Sequence, residues 1–177
     1  MIAMSNGRAK RIRVGTIGAN PDRGWAAQAH IPALRSLADD FEITALSTTR
    51  RESAAAAAKL FGVRAAFDNH QELVSSPDVD VVAVTVKVPH HLELATAALE
   101  AGKAVYCEWP LGNGLTEAET LAALGARVLD LELPVPHAHT RFEEGELTDD
   151  EIRTNLAEAV EALAAEIRRR EDVRAVA

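Results

Sequence analysis

Stretches with the apolar character of β-strands alternate along the chain with stretches whose apolar residues recur at helical spacing. Strands are predicted over residues 11–18, 42–48, 80–86 and 104–108, and helices over residues 25–38, 51–61, 90–101 and 116–124. Residues 80–86 are apolar at almost every position, which is typical of a strand buried on both faces of a parallel sheet. Because strand and helix alternate without an obvious hairpin, the pattern predicts an α/β fold with a doubly wound parallel sheet.

The last third of the chain has a different pattern. A sixth strand is predicted over residues 126–133, where Pro134 and Pro136 stop it, and a polar loop is predicted over residues 137–145. The sequence therefore divides into a first domain, residues 1–124, and an extension, residues 125–177. The extension is expected to complete or cover the sheet, which would then have about six strands in a Rossmann-like arrangement.

A C-terminal amphipathic helix is predicted to end the chain. Thr148 and Glu151 have the spacing of a capping box at its start. Apolar residues then recur on one face, at Ile152, Leu156, Val160, Leu163 and Ile167. This stripe must be covered either by the sheet or by another subunit, and the second case would make the protein a homo-oligomer.

Composition narrows the functional classes. Charged residues make up 26% of the chain, but the formal net charge of −8 argues against a general nucleic-acid-binding protein. A few backbone amides can still hold one dinucleotide. The single cysteine, Cys107, excludes an internal disulfide and suits a reducing cytoplasm. No apolar run is long enough to cross a membrane, so we expect a cytoplasmic protein without membrane partners.

A glycine-bearing turn, Gly-Ala-Asn-Pro-Asp-Arg-Gly at residues 18–24, lies between the first strand and the first helix. Such a turn lets backbone amides approach a pyrophosphate, and the helix N-terminus adds partial positive charge. The pattern is a degraded fingerprint, since Asn20 replaces the second glycine and the third comes two residues late. A plain strand-to-helix turn stays the alternative. The candidate coenzyme contacts here are Gly18, Ala19, Asn20, Gly24 and Trp25.

The end of the second strand bears on which dinucleotide would bind. Residues 47–51 read Ser-Thr-Thr-Arg-Arg, without the acid that an NAD-preferring domain places there for the ribose hydroxyls. Hydroxyls and guanidinium groups suit a 2′-phosphate, so NADP is preferred over NAD, with Thr48, Thr49 and Arg50 as candidate contacts. Alternatively, Ser47 or Thr49 caps the helix that follows.

Several ordered segments together resemble the N-terminal dinucleotide-binding domain of the glucose-fructose oxidoreductase/inositol dehydrogenase/MocA family, over residues 11–124. They are Val14-Gly-Thr-Ile-Gly18, His30-Ile-Pro-Ala-Leu34, Val79-Asp-Val-Val-Ala-Val84, Ala97-Ala-Leu-Glu-Ala-Gly-Lys103 and Cys107-Glu-Trp-Pro-Leu111. The Glu-Trp-Pro triplet is most similar to the branch containing the fungal galactose-pathway repressor and its bacterial relatives. The resemblance implies an NAD(P)-dependent oxidoreductase acting on a small polyol or sugar.

The same resemblance implies roles for four further residues. Glu108 and Trp109 would line the nicotinamide end, and Lys87 and His91 would flank the coenzyme after the fourth strand. The family's usual triplet is Glu-Lys-Pro, and its lysine positions substrate and tunes proton transfer. Trp109 replaces that lysine, and an indole cannot act as an acid. The alternative for His91 is a helix-start residue satisfied by backbone groups.

Family enzymes continue into a second domain that supplies the substrate pocket and catalytic residues. We expect this chain to lack that domain and to be weak or inactive as a dehydrogenase, so no catalytic residue is assigned. A non-enzymatic dinucleotide-sensing or interaction module is the first alternative. The second is a flavin reductase, since residues 125–164 resemble the end of NADPH-dependent FMN reductases; FMN is less expected than NADP. His137 and His139 could begin a metal site, but a solvated loop is favoured.

Overall fold

The computed structural model describes residues 10–22, 24–124, 142–143 and 146–176. The chain divides into two compact units, Met1–Leu124 and Gly125–Ala177. The first unit contains a parallel sheet in the order β3-β2-β1-β4-β5. Its strands are β1 (Ile12–Ile17), β2 (Phe41–Ser47), β3 (Ala65–Phe67), β4 (Val81–Val84) and β5 (Ala104–Cys107). The doubly wound α/β prediction is confirmed, whereas the predicted sixth strand lies outside the described residues.

Among the described residues, five helices accompany this sheet; four connect one strand to the next, and the fifth follows the last strand. They are α1 (Ile31–Ser36), α2 (Arg51–Phe61), α3 (His70–Ser75), α4 (His91–Glu100) and α5 (Leu115–Ala123). A π-helical segment, Ala26–His30, precedes α1, and a 3-10 turn, Val88–His90, precedes α4. The predicted helix over residues 25–38 is therefore two segments, and Pro32 lies in the first turn of the second, where its missing amide is tolerated.

Apolar side chains fill both faces of the sheet, because neighbouring residues of a buried strand point to opposite sides. Ala45 belongs to a cluster that contains Leu73 of α3 and Leu94 of α4. The next residue, Leu46, belongs to a cluster that contains Ile31 of α1 and Phe61 of α2. The helices thus form two layers, one on each side of the sheet.

The second unit contains a short antiparallel pair, β6 (Phe142–Glu143) with β7 (Glu146–Leu147), followed by α6 (Asp150–Val176). Strand β6 lies within the predicted polar loop, so that part of the loop prediction was wrong. The amphipathic helix is confirmed in position, but Asp149 rather than Thr148 immediately precedes it. The Asp149 carboxylate accepts a hydrogen bond from the Ile152 amide at 3.1 Å. Ile152 and Ile167 are buried. What covers the stripe stays a prediction, and no described helix is long and apolar enough to cross a membrane.

Candidate coenzyme site

The five strands of the sheet end level with one another. Ile17 of β1 is paired with Ser47 of β2 and with Val84 of β4, and these are paired in turn with Phe67 and Cys107 at the ends of the outer strands. The residues that follow each strand therefore lie along one carboxyl edge. The strand order reverses between β1 and β4, and ligands of open α/β sheets bind outside the strand ends at such a switch point.

The first turn is hydrogen-bonded to the strand on one side of β1 and lies close to the end of the strand on the other side. The Gly18 amide donates to the Ser47 carbonyl of β2 at 2.9 Å. On the other side, a Cβ atom at Gly18 would lie 2.5 Å from the carbonyl oxygen of Thr85, and Gly18 has a φ of +93°. Glycine is required here both by conformation and by close approach, so the turn is held at the switch point.

The rest of the turn leads into the π-helical segment. The Asn20 amide donates to the Gly18 carbonyl at 2.7 Å, and the Asn20 side chain accepts from the Asp22 amide at 2.9 Å, which closes a local turn. Ala19 is buried. Gly24 has a φ of +101°, and open space surrounds the position of a Cβ. Gln28 donates to the Gly24 carbonyl, so the amides of residues 25–27 precede the helical hydrogen-bond ladder.

At the end of β2, the hydroxyl of Thr48 lies 2.6 Å from Ser53 Oγ and 2.9 Å from the Arg50 carbonyl oxygen. Arg50 is the N-cap residue of α2, which has no side-chain cap, so neither Ser47 nor Thr49 has the capping role considered above. Arg51 donates from Nε to Asp68 Oδ2 at 3.0 Å. The side chains of Thr49 and Arg50 are exposed. Among the residues that the structure describes at this end of β2, Arg51 is the arginine whose guanidinium bonds a carboxylate.

The hydrogen bond from the Asn69 side chain is the largest cause that lowers the pKa of Asp68. Desolvation, the second-largest effect, opposes it, and the charge and hydrogen bond of Arg51 lower the pKa further. The Asp68 carboxylate is therefore ionised at neutral pH and keeps Arg51 engaged. Arg50 makes no ion pair with the part of the chain that the structure describes. Its side chain is exposed to solvent at the end of β2.

After β4, the two candidate coenzyme contacts, Lys87 and His91, differ in their exposure to solvent. Lys87 is exposed. His91 has no exposed surface; its Nδ1 lies 3.0 Å from the Pro110 carbonyl oxygen and its Nε2 lies 2.8 Å from the Val86 carbonyl oxygen. This is the backbone-satisfied arrangement given above as the alternative. His91 thus joins the segment after β4 to the segment after β5, and its contact with a coenzyme stays a prediction.

At the end of β5, Glu108 is paired with His30 of the π-helical segment. Glu108 Oε1 lies 2.7 Å from His30 Nε2, and their side chains are 22% and 20% exposed. The His30 ring also meets the Tyr106 ring edge-to-face, with centroids 5.5 Å apart. Trp109, the next residue, is 89% exposed. Burial, and secondly the charge of Glu108, raise the pKa of the Cys107 thiol to about 11, so this thiol is protonated.

Sequence reasoning did not assign His30 to the site. The residue appeared only inside the His-Ile-Pro-Ala-Leu segment, and its partner Glu108 is 78 positions away. Nothing in local spacing indicates such a pair. The signal available was chemical: a histidine in the helical connection after β1, and a glutamate directly after β5.

Together, the switch-point turn and the level strand ends define a doubly wound α/β domain of the dinucleotide-binding class. Residues 12–128 match the sequence model of the oxidoreductase family with an NAD-binding Rossmann fold, Gfo/Idh/MocA. The chain belongs to this family. The match ends at residue 128, near the start of the extension. The resemblance of residues 125–164 to FMN reductases therefore stays a prediction.

Two curated relatives illustrate the range of the family. The chain is 43% identical over 118 residues to the dehydrogenase aclE of Aspergillus oryzae, covering 64% of this chain and 32% of the relative. It is 31% identical over 118 residues to the galactose/lactose metabolism regulatory protein GAL80 of Saccharomyces cerevisiae, covering 62% of this chain and 27% of the relative. The similarity to GAL80 supports the galactose-repressor-like branch. The chain spans about a third of the length of these relatives.

Solved structures agree with this placement. An NAD-binding oxidoreductase from Klebsiella pneumoniae superposes with a TM-score of 0.61 at 34% identity, covering 67% of this chain and 32% of that one. A mutant 3-ketoreductase from Actinomadura kijaniata, in complex with TDP-benzene and NADP, superposes with a TM-score of 0.60 at 33% identity. The superposition covers 66% of this chain and 35% of that one. A levoglucosan dehydrogenase in complex with NADH and levoglucosan superposes with a TM-score of 0.60 at 27% identity. The superposition covers 65% of this chain and 32% of that one. These neighbours include one with NADP and one with NADH.

Proposed function

We propose that the first unit binds one NAD(P) molecule along the carboxyl edge of its sheet, with NADP preferred. The observation that carries this proposal is the position of the turn at Gly18. The turn is hydrogen-bonded to β2 and lies close to Thr85, at the point where the strand order reverses. Backbone amides of residues 24–25 would hold the pyrophosphate, helped by the partial positive charge of the following helix. Residues 18–20 would line it, since the Gly18 and Asn20 amides already donate to protein carbonyls.

The proposed preference for NADP depends on the end of β2. Arg50 is exposed there, Thr49 supplies an exposed hydroxyl, and Asp68 is engaged with Arg51. The Thr48 hydroxyl is bonded to Ser53 and to the Arg50 carbonyl, so it would have to exchange one of these partners for the phosphate. A 2′-phosphate carries negative charge and accepts hydrogen bonds from a guanidinium. The adenosine ribose would therefore lie near residues 48–50, which places the nicotinamide toward Glu108 and Trp109.

A bound nicotinamide coenzyme supplies a hydride acceptor or donor. We propose that a small polyol or sugar is the substrate class of the protein that carries this domain, as levoglucosan is for the neighbour described above. Trp109 can position a ligand but cannot supply acid–base catalysis, because its indole offers only an N–H donor that does not ionise. We therefore expect this chain by itself to bind coenzyme with weak or absent dehydrogenase activity.

A second candidate function is coenzyme sensing without turnover. Two observations favour it: Trp109 is 89% exposed beside the proposed nicotinamide end, and GAL80, a regulatory protein, is among the relatives. An exposed indole at that place suits contact with a partner whose affinity depends on the bound coenzyme. The two candidates share the coenzyme site and differ in whether hydride transfer follows.

The experiment that tests the proposal is a titration of the protein with NADPH, NADH and FMN, followed by the fluorescence of Trp25 and Trp109. Saturable quenching by NADPH, with weaker binding of NADH, is expected. Trp25→Phe and Trp109→Phe variants assign the signal to each end of the site. Absence of saturation with both pyridine coenzymes, or saturation by FMN alone, would overturn the proposal. Turnover of sugars and polyols with bound NADP separates the enzyme from the sensor.

A further inference from the structure

A hydrogen bond between His30 and Glu108 connects the two ends of the proposed coenzyme site. His30 is the last residue of the π-helical segment Ala26–His30, which follows the turn proposed to hold the pyrophosphate. Glu108 directly follows β5, at the proposed nicotinamide end. Nε2 of His30 and Oε1 of Glu108 lie 2.7 Å apart. The connection after the first strand is thereby joined to the segment after the fifth.

This hydrogen bond does not depend on the protonation state of His30. A glutamate carboxylate accepts hydrogen bonds and donates none, so Nε2 of His30 is the donor. An N–H at Nε2 is present in one neutral tautomer of imidazole and also in the imidazolium ion. A role that depends on the geometry of the contact therefore requires no titration of either side chain.

The imidazole of His30 is held in place from two sides. The residues Ala26 and Ile31 are buried in one cluster with Leu46 of β2, and the Ile31 amide donates to the Ala26 carbonyl in the π-helical pattern. Such turns are rare and occur frequently at functional sites. The ring of Tyr106 meets the imidazole edge-to-face, with centroids 5.5 Å apart. The carboxylate oxygen that His30 binds is thus held at a fixed place on the carboxyl edge.

The second carboxylate oxygen of Glu108 is available to a ligand. Within the described part of the chain, no group donates a hydrogen bond to Oε2, and the side chain is 22% exposed. The two oxygens of a carboxylate together accept about four hydrogen bonds. The nicotinamide half of a coenzyme offers matching donors, namely the amide N–H groups of its carboxamide and the hydroxyls of its ribose.

We propose that His30 is a positioning residue: it holds Oε1 of Glu108 so that Oε2 accepts hydrogen bonds from the nicotinamide half of the coenzyme. This proposal rests on the coenzyme site proposed above. Without His30, a carboxylate that is about four-fifths buried would lose its partner. Because a buried charge without a partner is unfavourable, the side chain would turn toward solvent and away from the ligand.

The effect of removing His30 should therefore be confined to one half of the coenzyme. The pyrophosphate and the adenosine ribose have other proposed contacts, at residues 24–25 and 48–50. The test compares the affinity for NADPH with that for 2′,5′-ADP, which keeps the adenosine and the 2′-phosphate but lacks the nicotinamide half. Calorimetry at one pH measures both. If NADH is the coenzyme that binds more tightly, the matching pair is NADH and ADP.

Two variants of His30 separate the hydrogen bond from ring packing. His30→Asn carries an amide that reaches only as far as Nδ1 of the imidazole, whereas the amide of His30→Gln reaches as far as Nε2. Both variants lose the ring that packs on Tyr106. His30→Asn should lower NADPH affinity by about tenfold, the lower end for one hydrogen bond to a charged group, and should leave 2′,5′-ADP affinity unchanged. His30→Gln should stay close to wild type for both ligands.

A double variant tests whether His30 acts through Glu108. In a Glu108→Ala background there is no carboxylate to position, so adding His30→Asn should not weaken NADPH further. His70→Asn is the matched control for loss of a histidine. The His70 side chain is 16% exposed and lies 3.9 Å from a carboxylate oxygen of Glu93, but it is on α3. Its removal should leave both affinities unchanged.

Each remaining outcome has a definite meaning. Unfolding of His30→Asn, seen by circular dichroism, or equal loss of both ligands would make His30 a structural residue and overturn this inference. Equal loss of NADPH in His30→Asn and His30→Gln, or in His70→Asn, would overturn it as well, as would additive effects in the double variant. The proposed coenzyme site would stand in all of these cases. Absence of binding of both NADPH and NADH to the wild-type protein contradicts the proposed function, and the inference with it.

Discussion

Gly18 and Thr85 approach each other so closely that a single methyl group would not fit between them. A Cβ atom on Gly18 would lie 2.5 Å from the carbonyl oxygen of Thr85 and 2.6 Å from a methyl carbon of Val86. Thr85 is itself held, since its amide and its hydroxyl both donate to the Ile17 carbonyl, at 3.0 and 2.7 Å. Neither backbone can move without breaking strand-end hydrogen bonds, so the turn has one position relative to β4.

We expect Gly18→Ala to lower the free energy of unfolding by about 2–6 kcal/mol, since it adds a close backbone contact to an unfavourable φ. Gly24→Ala is the matched control: its φ of +101° is equally unfavourable for alanine, but its surroundings are open. That variant should lose only about 1–3 kcal/mol. Urea unfolding of both variants measures the difference. Equal losses would show that the approach of Gly18 to Thr85 has no energetic importance.

The elements that sequence analysis placed correctly are those with long apolar or helical periodicity. Strand β4 and helix α2 are examples: a nearly continuous apolar run predicted the first over residues 80–86, and helical spacing predicted the second over residues 51–61. Gly62, which follows α2, has the left-handed φ of 58° that ends a helix. The turn at Gly18 was also located from sequence, because strand, glycine and helix follow one another there.

Short elements and contacts between residues far apart in sequence could not be predicted from local sequence patterns. Strand β3 has only three residues and α3 only six, too few to show a period. A local signal for α3 existed, since Asn69 accepts from the Glu72 amide and donates to the Glu72 carboxylate. The pairing of His30 with Glu108, and the two carbonyl groups around His91, depend on how the connections fold back over the sheet, which local pattern does not encode.

Arg50 should determine the choice between NADP and NAD. Replacing it in Arg50→Gln removes the guanidinium proposed to meet the 2′-phosphate, a charged hydrogen bond of about 1.5–3 kcal/mol. NADPH affinity is therefore expected to fall by about tenfold or more, while NADH affinity stays nearly unchanged. Fluorescence titration with both coenzymes measures the two effects.

Arg64→Gln provides the control for this prediction. Arg64 is also exposed, and it precedes β3, so it lies at the amino end of a strand and away from the carboxyl edge. Its removal should leave both affinities unchanged. If Arg64→Gln and Arg50→Gln weaken NADPH equally, the effect reflects overall charge, and the ribose site must be sought elsewhere.

His91 should be important for stability, whether or not it contacts a coenzyme. His91→Phe would leave at least one of the Val86 and Pro110 carbonyl groups without its buried N–H donor, and we expect a loss of about 1–3 kcal/mol. His91→Gln keeps an N–H donor and should lose less. Urea unfolding measures both variants. A stable His91→Phe protein with weakened coenzyme binding would instead support a direct contact.

Asp80 should make stability depend on pH at the opposite edge of the sheet. Its carboxylate accepts from the Arg13 amide and Nε at 2.9 Å and from Nη2 at 2.6 Å. Burial raises the pKa of Asp80, but the hydrogen bonds and charge of Arg13 outweigh burial and lower it. The folded-state pKa is thus below the unfolded one, so the stabilisation is present above the unfolded pKa and is lost as pH falls through the folded pKa.

We accordingly expect Asp80→Asn to lower the free energy of unfolding at pH 7 by about 1.5–3 kcal/mol. The difference from wild type should shrink at acidic pH, where the wild-type carboxyl is protonated too. Glu42→Gln removes a more exposed pair with Arg11 and should cost less than about 1 kcal/mol. A difference between Asp80→Asn and wild type that does not change with pH would show that the pair has no charge contribution.

Cys107 should react slowly with alkylating agents in the folded protein. Only the thiolate is nucleophilic, and raising the pKa from 9.0 to about 11 lowers its fraction at pH 8 by about 100-fold. The rate with iodoacetamide, compared between folded and urea-unfolded protein, should differ by at least that factor, because partial burial also limits access. Glu108→Gln removes the second cause of the raised pKa and should increase the folded rate at pH 8. Equal rates in folded and unfolded protein would mean that the end of β5 opens readily, and a coenzyme pocket that depends on Glu108 would then lack a fixed wall.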